Sequence, residues 1–141
     1  MTPTAAGYSG TPLPRKLGIR DGHRVLLAGA PAGFDLGDLP ALDLHDVDVH
    51  RRAGATPYDV IVGFTPDQRA LARRFPELAR RLVVNGGLWI AWPKRSSGVP
   101  TDLDENIVRG VGLAAGLVDN KVCAVDETWS GLRFVLRLRD R

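Results

Sequence analysis

The sequence predicts an α/β fold, and three features carry that prediction. Short apolar runs bounded by Gly, Pro, Asn or Asp recur at residues 23 to 30, 58 to 64 and 88 to 93, the pattern of strands buried on both faces of a sheet. Amphipathic stripes lie beside them, with apolar residues every three or four positions from 71 to 82 and from 103 to 111. The chain closes on two strand-like stretches separated by a turn, a hairpin signature. Strands alternating with helices join by right-handed crossovers into a mostly parallel sheet covered on both sides. The expected architecture is three-layered, with about six strands and a C-terminal antiparallel hairpin strand.

Each element has its own local reason. Residues 1 to 10, rich in Gly, Thr, Ser and Ala, are expected to be flexible. Thr11 is read as the cap of a short helix, with Pro12 at its first position and Gly18 at its end; Pro14 keeps it short. Asp21 and Gly22 turn the chain into "HRVLLAGA", strand one. The glycines and prolines of "PAGFDLGDLPALDL" leave room for little more than one helical turn where a crossover helix normally lies. "HDVDVH", residues 45 to 50, alternates Val47 and Val49 with Asp46, Asp48 and His50, as a half-exposed strand near an edge does. Charges on such a strand discourage edge-to-edge pairing, a reading preferred to metal ligation.

"YDVIVGF" is the next buried strand, and "TPDQ" predicts a capping box in which Thr65 accepts from the third helical amide and Gln68 reaches back. Leu71, Phe75, Leu78 and Leu82 form the apolar stripe of that helix, which Pro76 is expected to kink or split. "NGG" should close it before "LWIAWP". Thr101 and Asp104 suggest a second capping box, Leu103, Ile107 and Val111 a buried stripe, and Gly116 the end of the helix. "VDNKVCAVD", "ETWSG" and "LRFVLRLR" read as strand, turn and strand, with Leu132, Phe134, Leu136 and Leu138 alternating against Arg133, Val135 and Arg137.

Composition bounds the function. At 141 residues, one domain over 1–141 is expected, with 44% apolar and 25% charged residues at ordinary globular values. No run of about 18 uninterrupted apolar residues offers a membrane span, and "MTPTAAGYSGTPLPRK" lacks a secretory pattern, so a cytoplasmic protein is expected. The single Cys123 and three scattered histidines suggest neither an intramolecular disulfide nor a metal site. The net charge of +3 arises from arginines spread over helix flanks and the tail, apart from the aromatics, which argues against a nucleic-acid partner.

The order "LGIRDGHRVLLAGA", "YDVIVGF", "RRLVVNGGLWIAWP", helix, hairpin resembles the Rossmann-like fold of S-adenosylmethionine-dependent methyltransferases over most of the chain. In motif detail, "GYSGTPLPRKLGI", "GLWIAWPK" and "GLVDNKVCAVDETWSGLRFV" are similar to a small bacterial family, the domain of unknown function 3052, also termed StaR-like. The methyltransferase resemblance implies a glycine-rich turn after strand one and an acid at the end of strand two, by the logic of dinucleotide folds. Here the turn is Gly29, Ala30, Pro31, Ala32, Gly33, and strand two ends in His50, Arg51 and Arg52. Pro31 removes an amide donor, and the nearest acids are Asp35, Asp46 and Asp48. These departures lead to an expectation of no cofactor, the alternative being S-adenosylmethionine held by Gly29, Gly33 and Asp35.

In open α/β sheets ligands bind beyond the carboxyl ends of the strands. Four segments should converge there: 29 to 34, 65 to 68, 92 to 98 and the hairpin tip 126 to 131. The candidate ligand-binding residues are therefore Trp92, Lys94, Ser96, Thr101, Asp126, Trp129 and Ser130, with the two tryptophans facing each other across one hollow. The plainer alternative is that the tryptophans only cover the sheet end. No histidine is expected beside a serine at this edge, and Cys123 reads as a small buried apolar group, so no catalytic residue is assigned. The functional expectation is a non-catalytic protein binding a small molecule or a protein partner at this edge. A minimal methyltransferase is the second reading, and the half-exposed strand at 45 to 50 allows a homodimer.

Overall fold

The computed structural model describes residues 10–141, so the flexible start expected at 1 to 10 falls, except for Gly10, outside the described residues. Six strands form one sheet: β1 (Arg24–Ala28), β2 (Asp48–His50), β3 (Tyr58–Phe64), β4 (Leu82–Pro93), β5 (Leu117–Ala124) and β6 (Trp129–Leu136). Their order across it is β2-β1-β3-β4-β6-β5. The first four run parallel, and β6 enters antiparallel between β4 and β5. This is the expected α/β, Rossmann-like, mostly parallel architecture. The wide middle strands are apolar on both sides, with Val60, Ile61, Val62, Leu88, Trp89 and Ile90 at 2% exposure or less.

The two faces are covered by different means. Helices α2 (Gln68–Arg80) and α3 (Glu105–Ala114) pack on one face, where Leu71, Phe75, Leu78 and Val108 meet Ile61, Ile90 and Phe134. On the other, the short α1 (Leu13–Lys16) and the irregular segment after β1 bring Leu17, Ile19, Leu36 and Leu44 onto Val25, Leu27, Val62 and Trp89. The Trp89 indole N–H is buried there and donates to the Leu17 carbonyl at 3.1 Å. As expected from its glycines and prolines, the segment after β1 contains one short 3-10 turn, Pro40–Leu42.

Several boundaries differ from the sequence reading. Asp67, rather than Thr65, caps α2, its carboxylate accepting from the Ala70 N–H at 2.8 Å. Thr65 is fully buried and donates to the Ala91 carbonyl at 3.0 Å, while the Gln68 amide donates to the Asp102 carbonyl at 2.9 Å. Two competing acids lie closer to the helix start than the hydroxyls do, and both caps go to aspartate: Asp104 alone caps α3, accepting from Ile107 at 2.8 Å. Thr101 instead donates to the Pro66 carbonyl at 2.7 Å, and Pro12 holds the cap position of α1 that was expected for Thr11. Helix α2 runs on through Pro76; the carbonyl that loses its helical partner is that of Ala72, a residue on the exposed side of the helix.

Asn85, Gly86 and Gly87 do not close α2 but lie within β4, which begins at Leu82. The two glycines serve close approach: a Cβ on Gly86 would sit 2.8 Å from the Asp59 carbonyl oxygen, and one on Gly87 would strike the Arg133 guanidinium. Only Asp48 to His50 of the "HDVDVH" stretch is strand, at the sheet edge, and Asp46 lies before it at φ 58°. The alternation of the last strand stops at Leu136, leaving Leu138 in a 3-10 turn, 80% exposed.

Candidate functional site

The carboxyl ends of β1, β3 and β4 and the hairpin tip between β5 and β6 meet on one rim of the sheet. The tip is fixed by Asp126, whose Oδ1 accepts from the Thr128 and Trp129 N–H groups, both at 2.8 Å. Among the described residues, a hollow opens on each side of the sheet at this rim.

The first, about 590 Å³, lies on the face without long helices, between α1, residues 33 to 42 and the hairpin tip. Its walls include Leu13, Phe34 and Leu36, with Gly33, Asp35 and Asp126 among them. Gly29 and Gly33 bracket the turn after β1 at φ 70° and 85°, left-handed values that a side chain resists. Asp35 Oδ1 accepts from the Gly37 N–H at 2.8 Å. Among the described residues the second carboxylate oxygen of Asp35, like that of Asp126, has no partner. Behind this wall Phe34, Phe64 and Trp129 form an edge-to-face column with centroids 4.9 and 5.1 Å apart.

Two cations missed in the sequence reading brace the same turn. The Arg74 guanidinium, projecting from α2, lies against Gly29 and donates to the Phe64 carbonyl, and Arg51 donates to the Phe34 carbonyl. The apolar stripe leaves Arg74 on the solvent side of α2; only the position of β1 relative to that helix reveals its role. At the end of β2, His50 is bound on both sides, Nδ1 to the Tyr58 hydroxyl at 2.7 Å and Nε2 to Asp48 at 2.9 Å. Asp48 also holds Arg24 at 3.1 Å, and Asp46 lines a separate recess with Leu44 and His45. Of Asp35, Asp46 and Asp48, Asp35 alone lines the first hollow, where Asp38 and Asp126 join it.

The second hollow, about 660 Å³, lies on the helical side and is lined by Trp92, Lys94, Ser96, Thr101 and Ser130. Five of the seven sequence-derived candidates thus share one cavity. Trp129 and Asp126 do not. Trp92 pairs with Ser130 across the β4–β6 ladder and Pro93 pairs with Trp129. Side chains alternate along a strand, so the two tryptophans, one register step apart, point to opposite faces. Trp92 belongs to the helix-side core and Trp129 packs with the other. The expected shared hollow between them is therefore corrected to two hollows. Cys123 is half-buried, and burial pushes its thiol up, with Lys16 and Lys94 partly opposing, so thiolate chemistry is disfavoured.

Among the described residues no helix is long and apolar enough to cross a membrane. No family model matches the chain, the StaR-like resemblance included, and no curated protein matches it. Solved structures do. A TehB-like S-adenosylmethionine-dependent methyltransferase from Corynebacterium glutamicum superposes with a TM-score of 0.60 at 13% identity, covering 94% of this chain and 91% of its own. An S-adenosylmethionine-dependent methyltransferase from Aquifex aeolicus gives 0.53 at 20% identity, covering 85% of each chain. At these identities the likeness is one of fold. The expectation of a fold serving a non-catalytic binding protein is corrected to this extent: the solved structures of like fold are described as S-adenosylmethionine-dependent methyltransferases.

Proposed function

We propose that the chain is a minimal S-adenosylmethionine-dependent methyltransferase that holds its cofactor in the first hollow of the carboxyl rim. The observation that carries this reading is the pairing of a methyltransferase-like fold with a hollow, beyond the β1 turn, lined by two carboxylates that each keep one oxygen without a partner among the described residues. The residues fit such a ligand in charge and size. The cofactor is a net cation, with a sulfonium and an ammonium against one carboxylate, which the acids Asp35, Asp38 and Asp126 complement, and Leu13, Phe34 and Leu36 suit a nucleobase. The volume falls in the range of roughly 300–1,000 Å³ common to small-molecule sites. Bound there, the cofactor supplies an electrophilic methyl group.

Asp35 replaces the acid expected at the end of β2, where His50 is already committed to Tyr58 and Asp48. Gly29 and Gly33 shape the turn, and Arg74 and Arg51 hold it in place. Methyl transfer needs donor and acceptor in contact, so in this reading the acceptor shares the first hollow; the second, with Lys94, Ser96 and Ser130, lies across the sheet and takes no part in the transfer. A cytoplasmic location and membership of the StaR-like family belong to the same proposal and add no activity of their own.

Isothermal titration calorimetry with S-adenosylmethionine tests it. Asp35→Asn keeps the acceptor for the Gly37 N–H but removes the charge, and a hydrogen bond to a charged group contributes about 1.5–3 kcal/mol. Micromolar binding that weakens roughly tenfold or more in Asp35→Asn is expected. No heat from folded protein at about 1 mM cofactor, or equal affinity in the variant, overturns the reading.

A further inference from the structure

The face that lacks long helices is fully covered only near the carboxyl rim. Toward the amino ends of β1, β3 and β4 its cover stops, and a recess of about 430 Å³ opens, ringed by Lys16, Arg20, His23, Asp59, Lys121 and Arg133. Four permanent cations face one carboxylate there. That carboxylate is engaged, since Asp59 Oδ2 accepts from the Arg24 backbone N–H at 2.8 Å. Lys16 donates to the Ala124 carbonyl at 3.0 Å. The side chains of Arg20, Lys121 and Arg133 make no hydrogen bond or ion pair with any described residue.

Two further observations point to an anion as the ligand of this recess. Lys121 and Arg133 are direct cross-strand partners on β5 and β6, and like charges in that relation repel. Arg133 is also held in place rather than waving in solvent: its guanidinium lies against the backbone of β4 at Gly87, where any Cβ would collide with it. Burial pushes this group down from its ordinary value, and Arg141 acts in the same direction. A positioned guanidinium fork without a partner matches the oxygens of a phosphate. No Phe, Tyr or Trp lines the recess, so it offers nothing on which the bases of a nucleic acid could stack.

We propose that this recess is a binding site for a small molecule carrying a diphosphate or triphosphate group, distinct from the carboxyl rim and independent of the methyltransferase reading. The phosphate oxygens bridge Arg133 and Lys121, with Arg20 closing the rim of the recess, while the Lys16 ammonium stays on the Ala124 carbonyl.

Calorimetry of the full chain with inorganic pyrophosphate at low salt tests the proposal without the methyl donor. Micromolar binding is expected, weakened at least tenfold by Arg133→Gln and by Lys121→Gln and unchanged by Arg69→Gln, an equal charge change on the exposed side of α2. Without pyrophosphate, Arg133→Gln should melt no lower than the parent protein, because a repelling pair has been relieved; with pyrophosphate, only the parent should gain thermal stability. Absence of binding by the parent, equal weakening by Arg69→Gln, or a short single-stranded RNA that displaces pyrophosphate more effectively than a nucleoside triphosphate each overturns it.

Discussion

Two glycines of α3, Gly110 and Gly112, have opposite surroundings. A Cβ on Gly110 meets nothing within 4 Å, whereas one on Gly112 would enter the ring of Phe134, itself fully buried. Alanine is favoured over glycine in a helix by about 1 kcal/mol, so Gly110→Ala should raise the stability measured in urea by nearly that amount. Gly112→Ala gains the same propensity but overpacks a rigid aromatic, which typically costs about 1–3 kcal/mol. It should therefore leave the protein less stable; equal stabilisation of both variants would contradict the packing of α3 on β6. At this scale the sequence was partly legible. Gly29 and Gly33 were placed in the right turn, but Gly86 and Gly87 were read as a helix end, because their purpose is contact with Asp59 and Arg133, distant in sequence.

At the scale of elements, hydrophobic periodicity located the strands and helices well, while the caps were misassigned. Threonine and glutamine at the right spacing form a capping box only if the helix begins at the first of them. Pro66 and the burial of Thr65 under Ala91 delay the start of α2 to Gln68 and hand the cap to Asp67. Asp67→Ala should lower stability by about 1 kcal/mol in urea with the slope unchanged. Gln68→Ala should stay within about 0.5 kcal/mol. The reverse ranking would restore the capping box. The proline within α2 is expected to interrupt it; since it frees the carbonyl of a residue on the exposed side, Ala72, the helix keeps its length and still delivers Arg74 to the β1 turn.

For the whole molecule, the decisive fact is that the sheet separates two cores. One is built with α2 and α3, the other with α1 and irregular chain, and each has its own hollow on the carboxyl rim. Trp92 and Trp129 are close along the ladder yet belong to different cores. The stability losses of Trp92→Phe and Trp129→Phe should then add, with a coupling below about 0.5 kcal/mol in a double-mutant cycle. A coupling well above that would return the two rings to a common cavity. The thin irregular cover has a second consequence, since it leaves the amino half of one face open to the cationic recess around Arg133.

Periodicity and breaker residues alone determined the α/β class, the terminal hairpin and the convergence of four segments on one rim, because these depend on local patterns of period two and 3.6. The placement of strand ends also marked Trp92, Lys94, Ser96, Thr101 and Ser130 of the second hollow. Which face of the sheet each side chain enters was decided only by tertiary structure, since one step of register between β4 and β6 inverts it. The same holds for Arg74, Arg133 and Asp35: their neighbours lie across the sheet rather than along the chain, and charge acts through space.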